Sequence, residues 1–368
     1  MNISTIKDCY GCMACVDKCP QQCIQTIQGE LGHIYPAVNQ NACIDCGLCL
    51  KVCPANNEDS FKTCLHTYAA WMDDEQKHKE SSSGGIATAI SELFIQKGYI
   101  VYGCAFNPKF TFTHIRCENL KDLERLKGSK YVQSDMKGVY QSIAKDFKHN
   151  KTVLFIGTPC QVAGVKNFFH KQTEQLYTID LVCHGVPSVR MLQESLPQNI
   201  LDQDFDNVSF RENTKYRLSI KKDASTIYEL PINKSLYLKG FFKALYYRNS
   251  CYVCKHARQQ RIGDITLGDF WGIDKKTITD DIKYGISLCL INTEKGNMIF
   301  NSIPNIRKIE RPIQESLKAN KQLSHPCYQS KRVKVFRKLY TILGFKKGTI
   351  CTIPEIIIKN TLINLIKK

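Results

Sequence analysis

The chain has 368 residues, which is enough for two or three domains with at least one substantial hydrophobic core. Hydrophobic residues make up 43% and charged residues 23%, as is ordinary for a soluble globular protein. Asp8 and Cys9 come before any apolar run could form a signal peptide, and no run approaches the roughly 18 apolar residues of a membrane-spanning helix.

Cysteine usage and charge are the unusual features of the composition. Ten of the 19 cysteines lie within residues 9–64, and an odd total argues against a closed disulfide framework. We therefore expect a cytoplasmic protein whose reduced thiols are available to metal. Residues 1–60 carry three lysines against six acidic residues, whereas residues 331–368 carry ten basic residues against one glutamate. This distribution of a net charge of +17 predicts a basic tail and no nucleic acid partner.

The first 60 residues contain two cysteine runs of the same spacing, C-x2-C-x2-C-x3-C-P. Two such runs are the signature of a bacterial ferredoxin with two 4Fe-4S clusters, in which the fourth cysteine of each run ligates the other cluster. Zinc is the alternative, but zinc sites favour two paired C-x2-C elements. Cys23 and Cys64 fall outside the pattern and are predicted to be buried free thiols. The predicted ligand sets are Cys9, Cys12, Cys15 and Cys53 for one cluster, and Cys43, Cys46, Cys49 and Cys19 for the other.

The middle of the chain shows the alternating strand and helix patterns of an α/β domain. Predicted helices cover residues 86–96, 137–147, 161–169, 189–201 and 238–247. Predicted strands cover residues 99–105, 111–117, 152–156, 176–182, 265–267 and 286–291, with a set of short strands between 205 and 230. The predicted fold is an α+β ferredoxin domain over residues 1–60, an α/β body over 61–330 and a basic C-terminal helical tail over 331–368.

Three segments of the body suggest a cofactor site. Residues 81–85 (SSSGG) open a helix, where free N–H groups bind phosphate, although a plain helix cap explains them as well. Cys160, in residues 157–161 (GTPCQ), lies between a strand and a helix N-terminus, where a thiolate is stabilised. Residues 128–134 (GSKYVQS) combine a cation with an aromatic ring, and they would also suit a surface loop.

Four further cysteines occupy predicted loops: Cys160, Cys183, Cys251 and Cys254. Four thiolates suit a third 4Fe-4S cluster, and they also suit zinc. For Cys160 and Cys183 the alternative is a buried thiol at the end of a strand.

The order of these motifs resembles that of the coenzyme F-420 hydrogenase/dehydrogenase beta-subunit family, many members of which carry an N-terminal ferredoxin. The resemblance covers residues 81–291 in addition to the ferredoxin segment, and six segments match in order. They are residues 82–85 (SSGG), 128–134 (GSKYVQS), 157–161 (GTPCQ), 183–188 (CHGVPS), 251–254 (CYVC) and 261–272 (RIGDITLGDFWG).

The resemblance implies a flavin-binding body that holds FAD, an iron–sulfur cluster beside it, and oxidation or reduction of a deazaflavin or another organic substrate. The residues implied in flavin contact are Ser82, Ser83, Gly84, Gly85, Lys130, Tyr131, Gln133, Ser134, Thr158 and Gln161. Candidate contacts for a polar or anionic substrate, with solvated surface charge as the alternative, are Lys130, His184, His256, Arg258 and Arg261.

We therefore predict an iron–sulfur flavoprotein oxidoreductase that exchanges electrons with a redox partner protein or a soluble electron carrier. The alternative is a non-catalytic electron-transfer subunit that relays electrons between partner enzymes. The substrate, the use of coenzyme F-420, the direction of electron flow and the oligomeric state stay open.

The end of the tail has the pattern of an amphipathic helix. Ile358, Leu362, Leu365 and Ile366 share one helical face, and lysines lie off it. Such a helix suits peripheral contact with an anionic membrane or a partner, and a helix docked on the body is the alternative.

Overall fold

The computed structural model describes residues 1–108, 110–172, 174–212, 214–278 and 283–355. These residues form three sheets, of two, three and eight strands. The strands are β1 (Ile24–Gln28), β2 (Ile34–Val38), β3 (His66–Met72), β4 (Ile100–Asn107), β5 (Thr111–Cys117), β6 (Val153–Gly157), β7 (Leu176–Leu181), β8 (Asn207–Glu212), β9 (Lys215–Lys222), β10 (Ser225–Pro231), β11 (Ile265–Asp269), β12 (Ser287–Ile291) and β13 (Ile306–Glu310).

Helices flank the sheets and connect their strands, and short 3-10 turns join several of them. The α-helices are α1 (Ala14–Lys18), α2 (Leu48–Lys51), α3 (Glu75–Glu80), α4 (Ile86–Gln96), α5 (Leu120–Leu123), α6 (Val139–Lys148), α7 (Pro159–Phe168), α8 (Val189–Ser195), α9 (Gln198–Leu201), α10 (Leu236–Phe242), α11 (Glu294–Asn301), α12 (Ile313–Ala319) and α13 (Lys331–Thr352). No helix among the described residues is both long and apolar enough to cross a membrane.

The eight-stranded sheet organises the body. Its strand order is β13-β3-β12-β11-β7-β6-β4-β5, and β4, β6, β7 and β11 run parallel to one another. β6 reads VLFIG and is almost wholly buried, as expected for a parallel strand covered on both faces. The carboxyl ends of these parallel strands meet at one side of the sheet, which we call the carboxyl edge. Ligands of open α/β sheets bind at such an edge.

Helices cover both faces of the large sheet, so the body has three layers. On one face Ile86 and Ile90 of α4 pack in a cluster with Phe300 of α11. On the other face Ile143 of α6 and Val162 of α7 pack in a second cluster. The mixed sheet and its two helical layers confirm the α/β class that was predicted for the body.

The ferredoxin segment packs against the face formed by α6 and α7. Its two-stranded sheet, β1 with β2, is antiparallel. The Tyr140 hydroxyl donates to the carbonyl of Cys12 over 2.7 Å, and the Asp17 carboxylate accepts from the backbone N–H groups of Gly138 (2.9 Å) and Tyr140 (3.2 Å). The first residues of α6 therefore hold the first cysteine run against the body.

The start of the basic tail forms part of the body's packing. Phe336, Tyr340 and Phe345 of α13 are buried in one cluster with Phe210 of β8 and with Tyr246. Within α13 the chain turns at Gly344, whose φ of 70° and ψ of −177° suit glycine alone. The predicted amphipathic face at positions 358–366 lies outside the described residues.

Several predicted elements match and others were wrong. α4 and β5 have the predicted bounds. The single helix predicted over 189–201 was wrong, because the chain leaves the helix at Leu196, ahead of Pro197. The helix predicted over 238–247 ends at Phe242, since Ala244 adopts a left-handed conformation with φ 52°. The edge strand β13 and its neighbour β3 were not predicted.

Replacement of Phe336 tests whether α13 is part of the folded body. Phe336 is 0% exposed, so Phe336→Ala is expected to lower the free energy of unfolding by about 3–5 kcal/mol through a cavity. Its neighbour Val335 is 45% exposed, and Val335→Ala is the matched control, with an expected change within about 0.5 kcal/mol. Denaturant unfolding under anaerobic conditions measures both, and equal small effects would contradict the packing described.

Candidate functional site

The first cysteine run lines a pocket together with one residue of the second run. The cysteines that line it are Cys9, Cys12, Cys15 and Cys53. Gly11 and Met13 have positive φ angles of 70° and 60°, which turn the chain tightly between the cysteines. The four residues predicted for one cluster thus face a common space.

The second run lines another pocket together with the fourth cysteine of the first run. Its cysteines are Cys19, Cys23, Cys43, Cys46 and Cys49. Cys23, predicted to be a buried thiol, is buried, and its sulfur lies 3.4 Å from that of Cys19. The sets of four predicted from the exchange of the fourth cysteines therefore line separate cavities, with Cys23 as an additional wall of the second.

Side chains that bind a single metal ion are arranged differently from cysteines that hold a 4Fe-4S cluster. In the described part of the chain, no group of three or more His, Cys, Asp or Glu side chains is placed to hold one metal ion. Cysteines of a 4Fe-4S cluster surround a body of iron and sulfide and do not converge on one ion. The two cysteine-lined cavities fit the arrangement of cysteines around a cluster.

Four more cysteines come together at the carboxyl edge. Cys160 is the second residue of α7, directly after β6, and Cys183 follows β7 by two residues. Cys251 and Cys254 come from a 3-10 turn that begins at Asn249. The edge thus unites residues from three distant parts of the sequence, which the sequence analysis had proposed as one set.

The acidities of these four thiols reflect their burial and their closeness. Burial, followed by the charges of the other thiols, raises the pKa of Cys160 and Cys251 to about 12 and that of Cys183 well above its usual value. At Cys254 burial acts in the same direction, but the hydrogen bond and charge of His256 outweigh it, so the pKa is lowered. A bound metal or cluster would relieve the mutual repulsion of four thiolates.

The third cysteine set lies directly beside the first cavity. The Cys9 carbonyl accepts hydrogen bonds from the Ser250 hydroxyl (2.9 Å) and from Nη1 of Arg248 (3.0 Å). Between the two sites lies Tyr10, whose pKa is raised by burial and by the nearby thiols of Cys254 and Cys160. Cys9 of the first cavity is therefore joined to Ser250, the residue before Cys251 of the third set, by a single hydrogen bond.

Two buried ion pairs fix the loop that carries Cys251 and Cys254. Arg261 donates from Nη2 to Asp180 Oδ1 over 2.6 Å, while the backbone N–H of Gly263 donates to Asp180 Oδ2 over 2.6 Å. His256 contacts Asp59 Oδ2 through Nε2 at 2.8 Å. Solvated surface charge, the alternative to substrate contact, is wrong for Arg261 and His256, because both are buried. Their partners also occupy them, which leaves no substrate role visible.

The residues implied in flavin contact by the SSGG segment divide into two kinds. The Ser83 hydroxyl donates to the carbonyl of Ile286 over 2.7 Å, and the Gly84 N–H donates to Ser287 Oγ over 2.9 Å. A Cβ on Gly84 would lie 2.0 Å from the carbonyl oxygen of Ala70, so only glycine fits. These two residues join the loop to the sheet. Gly85 begins α4 at the carboxyl edge with φ 78°.

Ser82 links that helix start to the GSKYVQS segment, because its hydroxyl accepts from the backbone N–H of Ser129 over 3.1 Å. Within the same segment, Lys130 donates from Nζ to three carbonyls, of residues 125, 126 and 127, at 3.2, 2.8 and 2.6 Å. Burial lowers the pKa of Lys130 to about 8. Its ammonium group is therefore used to end a helical turn in this structure.

Ser134, Thr158 and Gln161 form one hydrogen-bonded chain. Thr158 and Gln161 make a capping box at the start of α7, with the Thr158 N–H donating to Gln161 Oε1 over 2.9 Å. Gln161 Nε2 donates to Ser134 Oγ (2.9 Å), which lies 3.0 Å from Nδ1 of His114. The Thr158 hydroxyl also lies 3.3 Å from the sulfur of Cys160, which joins this chain to the third cysteine set.

His114 is a site residue that the sequence analysis missed. Its Nε2 contacts the carbonyl of Ile156 at 3.0 Å, and its ring stacks on Phe155 at 5.1 Å. Burial lowers its pKa to about 4, so the ring is neutral at physiological pH. A neutral ring that donates to Ile156 accepts at Nδ1, which orients the Ser134 hydroxyl toward it. Nothing in the alternating TFTHIRC sequence of β5 distinguishes this histidine from an ordinary strand residue.

Tyr131 and Gln133 lie on opposite sides of the segment. The Tyr131 ring stacks on Phe241 at 4.8 Å, within an aromatic group on the β8–β10 side. Gln133 faces the ferredoxin segment, where its Oε1 accepts from Arg248 over 3.2 Å. Among the implied flavin residues, Thr158 and Gln133 therefore lie nearest to the third cysteine set. The SSGG residues lie at the start of α4.

Comparisons with known proteins match two separate parts of the chain. Residues 8–57 match the family model described as a 4Fe-4S dicluster domain. Residues 150–314 match the model for the C terminus of the beta subunit of coenzyme F420 hydrogenase/dehydrogenase, and this match contains all four cysteines of the third set. The fold and the cysteine-lined cavities thus define an iron–sulfur protein.

The motif order predicted a resemblance to this beta-subunit family, and the match over residues 150–314 confirms that resemblance for this part of the chain. The match over residues 8–57 likewise supports the predicted dicluster segment.

Individual relatives are distant. The "Coenzyme F420-dependent sulfite reductase" of Methanocaldococcus jannaschii is 22% identical over 299 residues, which are 75% of this chain and 44% of that protein. The "Uncharacterized protein in rpl9-rpl11 intergenic region" of Porphyra purpurea is 38% identical over 48 residues, which are 12% of this chain and 64% of that protein. The matches span less than two thirds of the length of either curated relative.

A solved structure of the F420-reducing NiFe hydrogenase complex from Methanosarcina barkeri, studied by xenon derivatization, contains a similar chain. The similarity covers 81% of this chain and 94% of that one, with 18% sequence identity and a TM-score of 0.48. This TM-score is too low to establish a shared fold.

Replacement of Asp180 tests the buried ion pair that supports the cysteine loop. Asp180→Ala leaves the Arg261 guanidinium buried without its carboxylate, and the free energy of unfolding is expected to fall by about 3–5 kcal/mol. The control is Asp73→Ala, which removes the exposed ion pair with Arg307 and is expected to cost less than about 1 kcal/mol. Chemical denaturation compares the two, and similar losses would contradict the special role of Asp180.

Proposed function

We propose that this chain is an iron–sulfur flavin-dependent oxidoreductase that passes electrons between 4Fe-4S clusters and a flavin, which oxidises or reduces an organic substrate or a deazaflavin. The observation that carries the proposal is the contact between Cys9 and the loop of the third cysteine set, through Ser250 and Arg248. It joins the dicluster segment to the body where the implied flavin residues begin.

The proposed ligands follow the walls of the cavities. Cys9, Cys12, Cys15 and Cys53 would hold one cluster, and Cys43, Cys46, Cys49 and Cys19 another. Cys160, Cys183, Cys251 and Cys254 would hold a third cluster. Iron is favoured over zinc at this third set because the family resemblance implies an iron–sulfur cluster beside the flavin. Clusters supply one-electron transfer, and flavin couples it to two-electron chemistry.

Exposure of the three cysteine sets supports an order of electron flow. Cys46 of the second cavity is exposed, whereas Cys12, Cys15 and Cys53 of the first are buried. The thiols of the third set are of intermediate exposure, and the set adjoins the first cavity through the contact of Ser250 with Cys9. Electrons would therefore enter or leave at the second cavity, where a redox partner protein or a soluble carrier could approach. The first cavity would connect that surface to the body.

The side chains around the third set would adjust its charge. Arg248 acts against the rise of the pKa of Cys160 and Cys251, because a nearby cation favours a thiolate. The Thr158 hydroxyl, 3.3 Å from the Cys160 sulfur, is positioned to donate to a thiolate there. Hydrogen bonds to cluster sulfurs are one of the means by which proteins set reduction potentials.

The proposed flavin site is the carboxyl edge between the starts of α4 and α7. Helix N-termini attract phosphate, and α4 has eleven residues and a glycine at its N-cap. Ser82, Gly85 and Thr158 line this region, while Ser83 and Gly84 are engaged with the sheet and would act by holding the loop. Thr158 and Gln161 would connect the flavin site to Cys160.

The choice of substrate class follows from the relatives. The family description and the name of the sulfite reductase both contain coenzyme F420, and that match extends over 75% of this chain. A deazaflavin, or an organic acceptor of similar redox chemistry, is therefore the proposed substrate. Sulfite chemistry is not carried over, because only 44% of that protein is matched.

A non-catalytic relay protein is the second candidate. It is favoured by Lys130, an implied flavin contact whose ammonium group donates to three backbone carbonyls. Under this alternative the body would dock a partner enzyme, and electrons would leave through the third cluster.

Cofactor content separates the two candidates. Protein purified without oxygen is expected to contain about twelve iron atoms in three clusters and to release about one FAD per chain on denaturation. The same preparation should reduce a deazaflavin or an artificial two-electron acceptor when supplied with electrons. Iron and sulfide without flavin, and without activity in the isolated chain, would support the relay and contradict the enzyme.

Replacement of Cys183 tests the third cluster. Cys183→Ala is expected to remove about four of about twelve iron atoms while the signals of the two ferredoxin clusters persist. Cys289→Ala is the matched control, since Cys289 is a buried cysteine of β12 outside the three sets, and iron should be unchanged. Metal analysis and electron paramagnetic resonance give the result. Full iron in Cys183→Ala would refute the proposed ligand.

A further inference from the structure

The turn inside α13 exposes two large apolar side chains next to each other. Ile342 is 78% exposed and Leu343 is 38% exposed, and Gly344 follows them with its non-helical conformation. We call residues 341–347 the apolar corner. It is the point where two helical segments meet, so its side chains project from the surface of a bend and not from a flat face.

The apolar corner is held rigidly by its flanks. Phe336 precedes it and Phe345 lies within it, and both rings contact Tyr246, at 5.6 Å each. The Tyr340 hydroxyl donates to Glu194 Oε1 over 2.9 Å. Because these anchors are buried, the exposure of Ile342 and Leu343 is a property of the folded chain.

The sequence around the apolar corner is basic, although Glu194 and Glu30 of other elements contact Tyr340 and Arg337 of the same helix. Residues 331–354 contain seven lysines and arginines and no acidic residue. Lys338, which precedes the corner, and Lys346 and Lys347, which end it, are all exposed. Apolar residues at a bend with lysines beside them have the composition of membrane-surface segments, in which the apolar side chains enter the interface and cations meet anionic headgroups.

We infer that the apolar corner binds the surface of an anionic lipid bilayer, with Ile342 and Leu343 entering the interface and the neighbouring lysines contacting headgroups. The chain would then be a peripheral membrane protein through a feature of its folded body. This surface is separate from the electron-transfer sites, and its test does not depend on the proposed function.

Other occupants fit the observations less well. A stable protein interface buries roughly 800 Å² per partner, more than two exposed apolar side chains provide. Nucleic acid would use the lysines through its phosphates, but it offers nothing comparable to Ile342 and Leu343. A lipid surface uses both the apolar side chains and the cations.

Co-sedimentation of the full chain with vesicles tests the inference. Vesicles of phosphatidylethanolamine with phosphatidylglycerol supply the anionic surface, and phosphatidylcholine vesicles supply the neutral one. The wild-type chain is expected to bind anionic vesicles at least about tenfold more tightly than neutral ones, and less tightly as salt is raised. Equal binding to both, or no binding to either, overturns the inference.

Two variants locate the contact. Ile342→Ser with Leu343→Ser removes the apolar part, and Lys346→Glu with Lys347→Glu reverses the local charge. Each is expected to weaken binding to anionic vesicles about tenfold or more. Met298→Ser is the control, because Met298 of α11 is 67% exposed but lies outside the corner, and binding should be unchanged. Iron content and thermal unfolding verify that every variant is folded.

A third variant separates the corner from the end of the chain. Leu362→Ser with Leu365→Ser alters the apolar pattern of residues 356–368, which the sequence had suggested for membrane contact. Loss of binding in this variant, together with wild-type binding in both corner variants, overturns the inference. Wild-type binding here with weakened binding in the corner variants supports it.

Discussion

Two buried arginines hold the segment between residues 248 and 261 on both of its sides, and the cysteine sites of the chain are positioned around that segment. Arg248 donates to the carbonyls of Cys9 and Ile34 in the ferredoxin segment, and its guanidinium lies over the Tyr35 ring at 4.2 Å. Arg261 is paired with Asp180 at the end of β7. Because a buried guanidinium is costly without its acceptors, each arginine favours one position of the loop. Cys251 and Cys254 are carried between them.

This arrangement explains why an acidic ferredoxin segment is joined to a basic body. Clusters with their thiolates add negative charge to a segment that already has more acidic than basic residues. The body meets it with Arg248, with Lys255, which pairs with Asp59 at 2.9 Å, and with Arg337, which lies 3.5 Å from Glu30. The same cations favour thiolates, as Lys255 does at Cys53. Attachment of the domain and stabilisation of the sulfur ligands therefore rely on shared side chains.

The sequence predicted those features that depend on local pattern. The cysteine spacing is a local property, and it predicted which cysteines share a cavity. The apolar period of α4 is also local, and it predicted the bounds of that helix. The resemblance to the beta-subunit family, which the match over residues 150–314 confirms, followed from six short motifs in order. The roles of individual motif residues were harder, because Ser83 and Gly84 are bound to β12 and the backbone of β3, which are distant in sequence.

Long-range contacts also account for what was missed. His114 is recognisable as part of the site only when β5 brings it beside Ser134 and the end of β6. Arg261 is buried against Asp180, a carboxylate that lies 81 positions away along the chain. No local sequence pattern could therefore indicate that it is buried. The edge strand β13 is mostly exposed, so its apolar content gave no signal. Hydrophobic periodicity indicates which face of a single helix or strand is buried. The surroundings of these residues depend instead on contacts between different elements.

The central claim is that a third iron–sulfur cluster lies between the dicluster segment and the body. Anomalous diffraction from crystals of anaerobically purified protein, recorded on either side of the iron edge and of the zinc edge, tests it most directly. The account predicts iron at three positions, the third surrounded by Cys160, Cys183, Cys251 and Cys254. Iron at only the two ferredoxin positions, or zinc at the third, would contradict it.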